Sequence, residues 1–244
     1  MENFLKMRER KVVCLKVGGS LLFRKNDLDN VYIQKLGTVL KELTSEGKVC
    51  VVVGGGFIAH KYVSTARKLG AQESFCDLIG IEVARNNARL LIAALGEDVC
   101  YPSPPNSFQE AVKALATDKK ILVLGGFQPG QSTNAVAASI ADYTRSKTLI
   151  NATNVDGVYT SDPKKDPNAK KIEEMTIDDL INLIKTHSHK AGEYPLFDIV
   201  AAEILKRGNI SLIVLNGKDP ENIKKAIEGE HIGTLIKPTK TPKT

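Results

Sequence analysis

Apolar positions along the chain follow two rhythms. Short runs rich in β-branched residues occupy 12–17 (VVCLKV), 49–53 (VCVVV), 121–124 (ILVL), 148–152 (TLINA) and 210–215 (ISLIVL). Between them lie longer segments whose apolar residues recur three and four apart: 30–43, 57–69, 79–95, 107–115 and 133–144. Unbroken short apolar runs suit strands buried on both faces, and the longer rhythm suits helices with one apolar stripe. The alternation predicts an α/β fold, a three-layer αβα sandwich in which helices cover both faces of a mainly parallel sheet. Residues 98–102 (DVCYP) read as one more short strand.

After Asn154 the texture changes. The stretch NVDGVYTSDPKKDPNAKK is rich in Asp, Pro, Lys and Gly, and reads as a long functional loop. Thr176, three residues before Asp179, marks a helix start. Residues 195–208 read as another helix, with Pro195 at its start and Gly208 just past its end. Asp219 and Pro220 open a last helix, 233–236 (GTLI) reads as a final edge strand, and 237–244 as a frayed tail. No repeat or linker interrupts the 244 residues, which predicts one domain with two lobes, 11–150 and 151–236.

Three of the strands run into glycine. The first ends at Gly18, Gly19 and Ser20, and the second at Gly54, Gly55 and Gly56. The third ends at Gly125 and Gly126, followed by Phe127, Gln128, Pro129, Gly130, Gln131, Ser132 and Thr133. Any one cluster reads as a tight turn, since glycine is the default turn residue. Three on the same side of parallel strands read instead as a crevice of exposed amides beside helix starts, the arrangement that binds phosphate. None fits G-x-x-x-x-G-K-[ST] or G-x-G-x-x-G, so a P-loop ATPase and a dinucleotide-binding dehydrogenase are excluded.

Charge narrows the partners. The formal charge is +6, but three lysines of the tail (Lys237, Lys240, Lys243) and a net two charges in the first eleven residues leave about one for the body. No basic stripe with interleaved aromatics remains to bind nucleic acid. No apolar run approaches membrane-span length and no signal-peptide core opens the chain, so a soluble cytoplasmic protein is expected. Cys14, Cys50, Cys76 and Cys100 are widely spaced and read as small buried hydrophobes. His187 and His189 read as an exposed loop pair and no metal site is assigned.

The set KVGGS, VVVGGGFIAHKYV, GGFQPGQSTNAVAA and TNVDGVYTSDPKKDP, in this order and spacing, resembles the amino acid kinase superfamily, and within it the archaeal-type uridylate (UMP) kinases. The resemblance runs from about residue 11 to 236. It implies transfer of a phosphoryl group from ATP to UMP, with Mg²⁺ carried by the ATP phosphates. It also implies a homohexamer built as a trimer of dimers, an acceptor-binding first lobe and an ATP-binding second lobe. Gly19, Ser20 and Gly56 would face the ATP phosphates, and Thr153, Asn154, Tyr159 and Asp162 the adenosine end. His60, placed with ATP, stands where family members often carry arginine. Gly55, Asp77, Phe127, Gln128, Pro129, Gly130, Gln131, Ser132 and Thr133 would hold UMP, with Asp77 at its ribose. Kinases of a carboxylate or of isopentenyl phosphate share the ATP half, and a non-catalytic nucleotide- or oxyanion-binding relative would share the fold.

Lys16, just before the first glycine turn, is the expected stabiliser of charge on the transferred group; otherwise it is a lysine snorkelling from a strand end. A phosphate-monoester acceptor is already anionic near neutral pH, so no general base is needed. Asn134 stands where relatives often carry aspartate, consistent with that view. Ser132 and Thr133 suit both N-capping and an acceptor phosphate; Asp77 reads as an N-cap or as a ribose carboxylate. The apolar segment 79–95 has too few polar positions for a lone surface helix and is expected in a subunit interface.

Overall fold

A computed structural model describes residues 11–161, 163, 166–187 and 197–239. Its centre is a seven-stranded sheet of β1 (Val12–Val17), β2 (Lys48–Val53), β3 (Ile121–Leu124), β4 (Thr148–Thr153), β5 (Glu174–Thr176), β6 (Ser211–Asn216) and β7 (Thr234–Lys237). The order across the sheet is β3-β2-β1-β4-β6-β7-β5. Strands β3, β2, β1, β4 and β6 are mutually parallel, with Cys14 opposite Cys50 and Lys16 opposite Val52 and Asn151. Only the β6–β7 pair is antiparallel in this sheet.

Alternation along β1 distributes its side chains between two cores. Val13, Leu15 and Val17 join Val49, Val51 and Val53 beneath α1 (Asn30–Glu42), α3 (Glu73–Leu95) and α8 (Glu221–Ile227). Cys14, Cys50, Val52 and Leu122 meet the opposite layer, formed by α4 (Phe108–Leu115), α5 (Thr133–Tyr143), α6 (Ile177–His187) and α7 (Ile199–Arg207). Helix α5 presents Ala135, Ala137, Ala138 and Ala141, all buried. These small side chains let it lie close to the sheet under α7. Helix α2 (Gly56–Lys68) packs on α3. The three-layer architecture agrees with the alternation in the sequence, and all four cysteines are buried free thiols.

Several local expectations are corrected. Helix α3 starts at Glu73, with Gln72 as its cap, so Asp77 lies inside the helix and caps nothing. The apolar segment that suggested a start at 79 is only the later part of a longer helix, which also buries Cys76. Residues 98–102 form no strand; Cys100 makes a single bridge to Ile121. Helix α7 begins at Ile199, where the Asp198 carboxylate accepts the Ala201 N–H (2.9 Å), and Pro195 lies outside the described residues. Strand β7 is interior, because β5 pairs on its far side and takes the edge. The tail starts later than 237: Lys237 closes β7 and its ammonium meets Glu174 at 2.6 Å. The loop after Asn154 contains a small antiparallel pair, Val158–Tyr159 with Lys171–Ile172. Thr176 and Asp179 cap α6 reciprocally, as their spacing suggested.

Candidate active site

Five parallel strands deliver their carboxyl ends to one edge of the sheet, and the loops there are tied to it by continuing the ladder. Gly18 N–H donates to Ala152, Gly54 N–H to Val17 and Gly217 N–H to Thr153, at 2.9, 3.0 and 2.7 Å. The first two glycine turns then interlock. A Cβ on Gly19 would fall 2.1 Å from the Gly54 oxygen and 2.4 Å from the Gly56 nitrogen. Gly56 itself has φ +64, where side chains are disfavoured. Glycine is required here because two backbones touch.

The third glycine pair is also fixed by packing against α3. Gly125 and Gly126 are buried, and Gly126 forms part of the wall of the cavity described next. They are glycine because α3 lies against them: a Cβ on Gly125 would sit 2.8 Å from the Arg85 nitrogen, and one on Gly126 2.9 Å from Ile81 Cγ1. Exposure begins at Gln128. Gly130, at φ +74, turns its N–H to the Asp77 carboxylate (2.8 Å). Ser132 then caps α5 by accepting the Ala135 N–H (3.0 Å) and donates its own proton to Asp198 (2.5 Å). Thr133 is the first residue of α5.

These segments enclose a cavity of about 230 Å³ whose lining includes Gly55, Gly56, His60, Asp77, Gln131 and Thr133. His60, expected with the ATP group, thus sits in the same cavity as the acceptor candidates. Phe127 is buried in the core under α5, while Gln128 and Pro129 are exposed at the tip of the loop. Gly19 and Ser20 begin a short 3₁₀ turn beside this cavity, on the side of β1. Across β1, Thr153 is buried at the end of β4 and bonds within its own turn, to Val155. Asn154 is exposed, and the Tyr159 hydroxyl donates to Asp156 (2.8 Å). Asp162 lies outside the described residues, as do Lys164, Lys165 and His189.

Lys16 lies between the two groups. Alternation puts it on the same face of β1 as Cys14, toward α5 and α7. Burial pulls its pKa from the ordinary lysine range down to about 8, and the negative charge of Asp198 acts in the opposite direction. Lys16 is only partly exposed, so its charge is less screened than that of a surface lysine.

The amino acid kinase family profile matches residues 11–216. The chain belongs to the amino acid kinase family. A protein of Methanobrevibacter smithii named uridylate kinase is 45% identical over 224 residues, covering 92% of this chain and 98% of its own. The uridylate kinase of Hyperthermus butylicus is 44% identical over 225 residues, covering 92% and 97%. A crystal structure of uridylate kinase from Archaeoglobus fulgidus superposes with a TM-score of 0.80 at 39% identity, over 93% of this chain and 99% of that one.

Two kinds of site residue in this amino acid kinase escape a reading of the sequence. Asp198 is one: it touches Ser132 and its charge reaches Lys16, yet it sits within a segment read as helix from Pro195. An aspartate directly before an alanine-rich apolar stripe is the signal that marks it as a cap. Arg85 and Asn87 are the other kind. They fall within a segment read as an interface, and Asn87 donates to the Gly54 and Gly55 carbonyls (2.8 and 3.2 Å).

Proposed function

We propose that this amino acid kinase is a UMP kinase, transferring the γ-phosphoryl group of ATP to UMP to give ADP and UDP. The observation that carries the reading is identity of 40–45% to proteins named uridylate kinase across at least nine-tenths of the chain. The cavity supports it: the Asp77 carboxylate, the Thr133 hydroxyl and the Gly55–Gly56 turn converge there on a space suited to a sugar phosphate. The direct test supplies γ-labelled ATP and UMP and separates the products. Label in UDP, with ADP formed one for one, is expected; unlabelled UDP or none contradicts the assignment.

In this reading UMP occupies the side of Gly55, Asp77 and residues 127–133, and ATP the side of Gly19, Ser20, Thr153, Asn154 and Tyr159, with Gly56 between them. The first lobe, 11–150, supplies the acceptor side and the second, 151–236, most of the ATP side. Asp77 keeps one oxygen on Gly130 and offers the other to a ribose hydroxyl. Thr133 and the first amides of α5 meet the acceptor phosphate, where the helix dipole favours negative charge. Lys16 meets the phosphoryl oxygens as charge spreads over them in transit. Both phosphates repel one another in free solution, so holding them in line beside one cation supplies much of the rate.

Magnesium neutralises the triphosphate when bound and is proposed to arrive with it. Among the described residues no group of three or more His, Cys, Asp or Glu side chains is placed to hold an ion, so its ligands would be nucleotide oxygens and water. No described helix is long and apolar enough to cross a membrane, and a cytoplasmic site of action is proposed. The exposed Tyr62, Phe75, Leu78 and Leu90 of α2 and α3 line one apolar groove, which supports a homo-oligomer, proposed as a hexamer, assembled through this face.

The Lys16–Asp198 relation gives a pH prediction. The active form of Lys16 is protonated, so kcat/KM for ATP is expected to be level at neutral pH. It then falls as pH rises through about 8. Asp198→Asn removes the charge that holds the proton on, so the fall moves to lower pH. Bound ATP adds negative charge, so the limb in kcat lies at higher pH than that in kcat/KM. A limb unmoved by Asp198→Asn contradicts the coupling.

A further inference from the structure

Helix α3 is the strut on which the acceptor side hangs. Asp77, Arg85 and Asn87 project from it toward three separate loop segments. Asp77 takes the Gly130 amide, and Asn87 binds the Gly54 and Gly55 carbonyls. Arg85 makes the most of these contacts. Its Nε donates to the Gly126 carbonyl (3.1 Å), and its Nη2 to the carbonyls of Phe127 (3.2 Å) and Asn106 (2.9 Å). Its Nη1 donates to Glu82 (2.7 Å).

The Arg85 side chain is only 11% exposed. Enclosing a guanidinium is unfavourable unless its donors are satisfied, and an apolar side chain of similar volume would fill the same space without that penalty. What the guanidinium adds is direction. Its planar fork grips two successive carbonyls at the root of the 127–133 loop, where β3 has just ended. The same root is packed against α3 itself, the Arg85 backbone at Gly125 and the Ile81 side chain at Gly126, which leaves no room for a Cβ on either glycine. A loop held at its root keeps its far end in place, and that end carries Gln131 and Thr133 into the acceptor cavity.

We propose that Arg85 is a positioning residue for the acceptor: by fixing the Gly126 and Phe127 carbonyls it sets where residues 127–133 stand over the UMP site. The proposal rests on the uridylate kinase reading for the identity of the acceptor. Arg85 lines no part of the cavity and lies on the opposite side of β1 from Thr153 and Tyr159. Its effect is therefore selective for the acceptor.

The experiment compares the full chain with Arg85→Lys, Arg85→Met and Glu82→Gln in steady-state kinetics and in hydrogen exchange of residues 126–133. A lysine keeps the charge but cannot grip three carbonyls in one plane. Loss of charged hydrogen bonds to the loop root is expected to raise the KM for UMP about 10- to 100-fold. The KM for ATP and kcat should stay within about threefold, since transition-state contacts are retained. Exchange in 126–133 should speed up in both Arg85 variants. Glu82→Gln leaves the carbonyl bonds in place and should match the parent.

Absence of UMP turnover in the parent protein would sink the uridylate kinase reading by itself, while the exchange measurement still judges the Arg85 clamp. Unchanged exchange in both Arg85 variants, or a fall in kcat with both KM values unaltered, would overturn the clamp.

Discussion

Replacing Lys16 with methionine is expected to lower kcat about 10²- to 10³-fold, the loss seen when one preorganised donor to a developing oxyanion is removed. The KM for UMP should move little, because in the proposed reading the acceptor is held by Asp77 and the 127–133 loop rather than by Lys16. Stability should not fall. Partial burial already disfavours the charged lysine and lowers its pKa to about 8, and exchanging a poorly solvated charge for an apolar side chain of similar length is often neutral or favourable. Melting temperature and the two KM values, measured beside kcat, separate this outcome from damage to the fold. Equal losses in kcat and in UMP affinity, with a lower melting temperature, would return Lys16 to a purely structural role.

The second large effect is expected at Gly19. An alanine there would push its Cβ to 2.1 Å from the Gly54 oxygen and 2.4 Å from the Gly56 nitrogen. Both opposing atoms are backbone, so no side chain can swing away. The two glycine turns must separate, and they carry the residues proposed for the ATP phosphates on one side and Gly55 of the proposed acceptor cavity on the other. Activity should be abolished with both substrates. Forced overpacking of about 1–3 kcal/mol should lower the melting point by roughly 2–12 °C in a chain of this size. Gly37→Ala is the control. Gly37 lies in α1, where an added Cβ meets Ala94 no closer than 3.7 Å. Alanine should therefore be tolerated there and add up to about 1 kcal/mol through helix propensity. A Gly19→Ala protein that melts and turns over like the parent would show that the turns do not interlock.

Much of this arrangement is legible in the sequence. Strands β1, β2, β3, β4 and β6 appear as apolar runs because both faces of each are covered, helices α1, α2, α4 and α5 appear as periodic segments, and Ser132 suits the cap it forms on α5. The candidate residues around the third loop also come together: Gly55, Asp77, Gln131 and Thr133 line one cavity. What escapes has a common physical cause, contact between residues far apart in sequence. Gly125 and Gly126 read as turn glycines, and only the fold shows α3 lying on them. Asp198 becomes part of the site only because α7 packs over α5 and brings it to Ser132, 66 residues away. Arg85 is a polar residue in an apolar segment, and no spacing rule tells a clamp from a solvated charge. The start of α3 was obscured for the opposite reason. In its first turns the apolar Phe75 and Leu78 point to solvent and only Cys76 is buried, so no core-facing stripe marks the start while the helix continues.

The central claim is that the crevice joins ATP to UMP. The most direct measurement is a coupled ADP-release assay with Mg·ATP and five acceptors: UMP, CMP, dUMP, acetylglutamate and isopentenyl phosphate. The account predicts turnover with UMP at a kcat/KM above that of every other acceptor. A higher kcat/KM with acetylglutamate or isopentenyl phosphate would leave the fold and the ATP side standing and contradict the acceptor site described for Asp77 and residues 127–133.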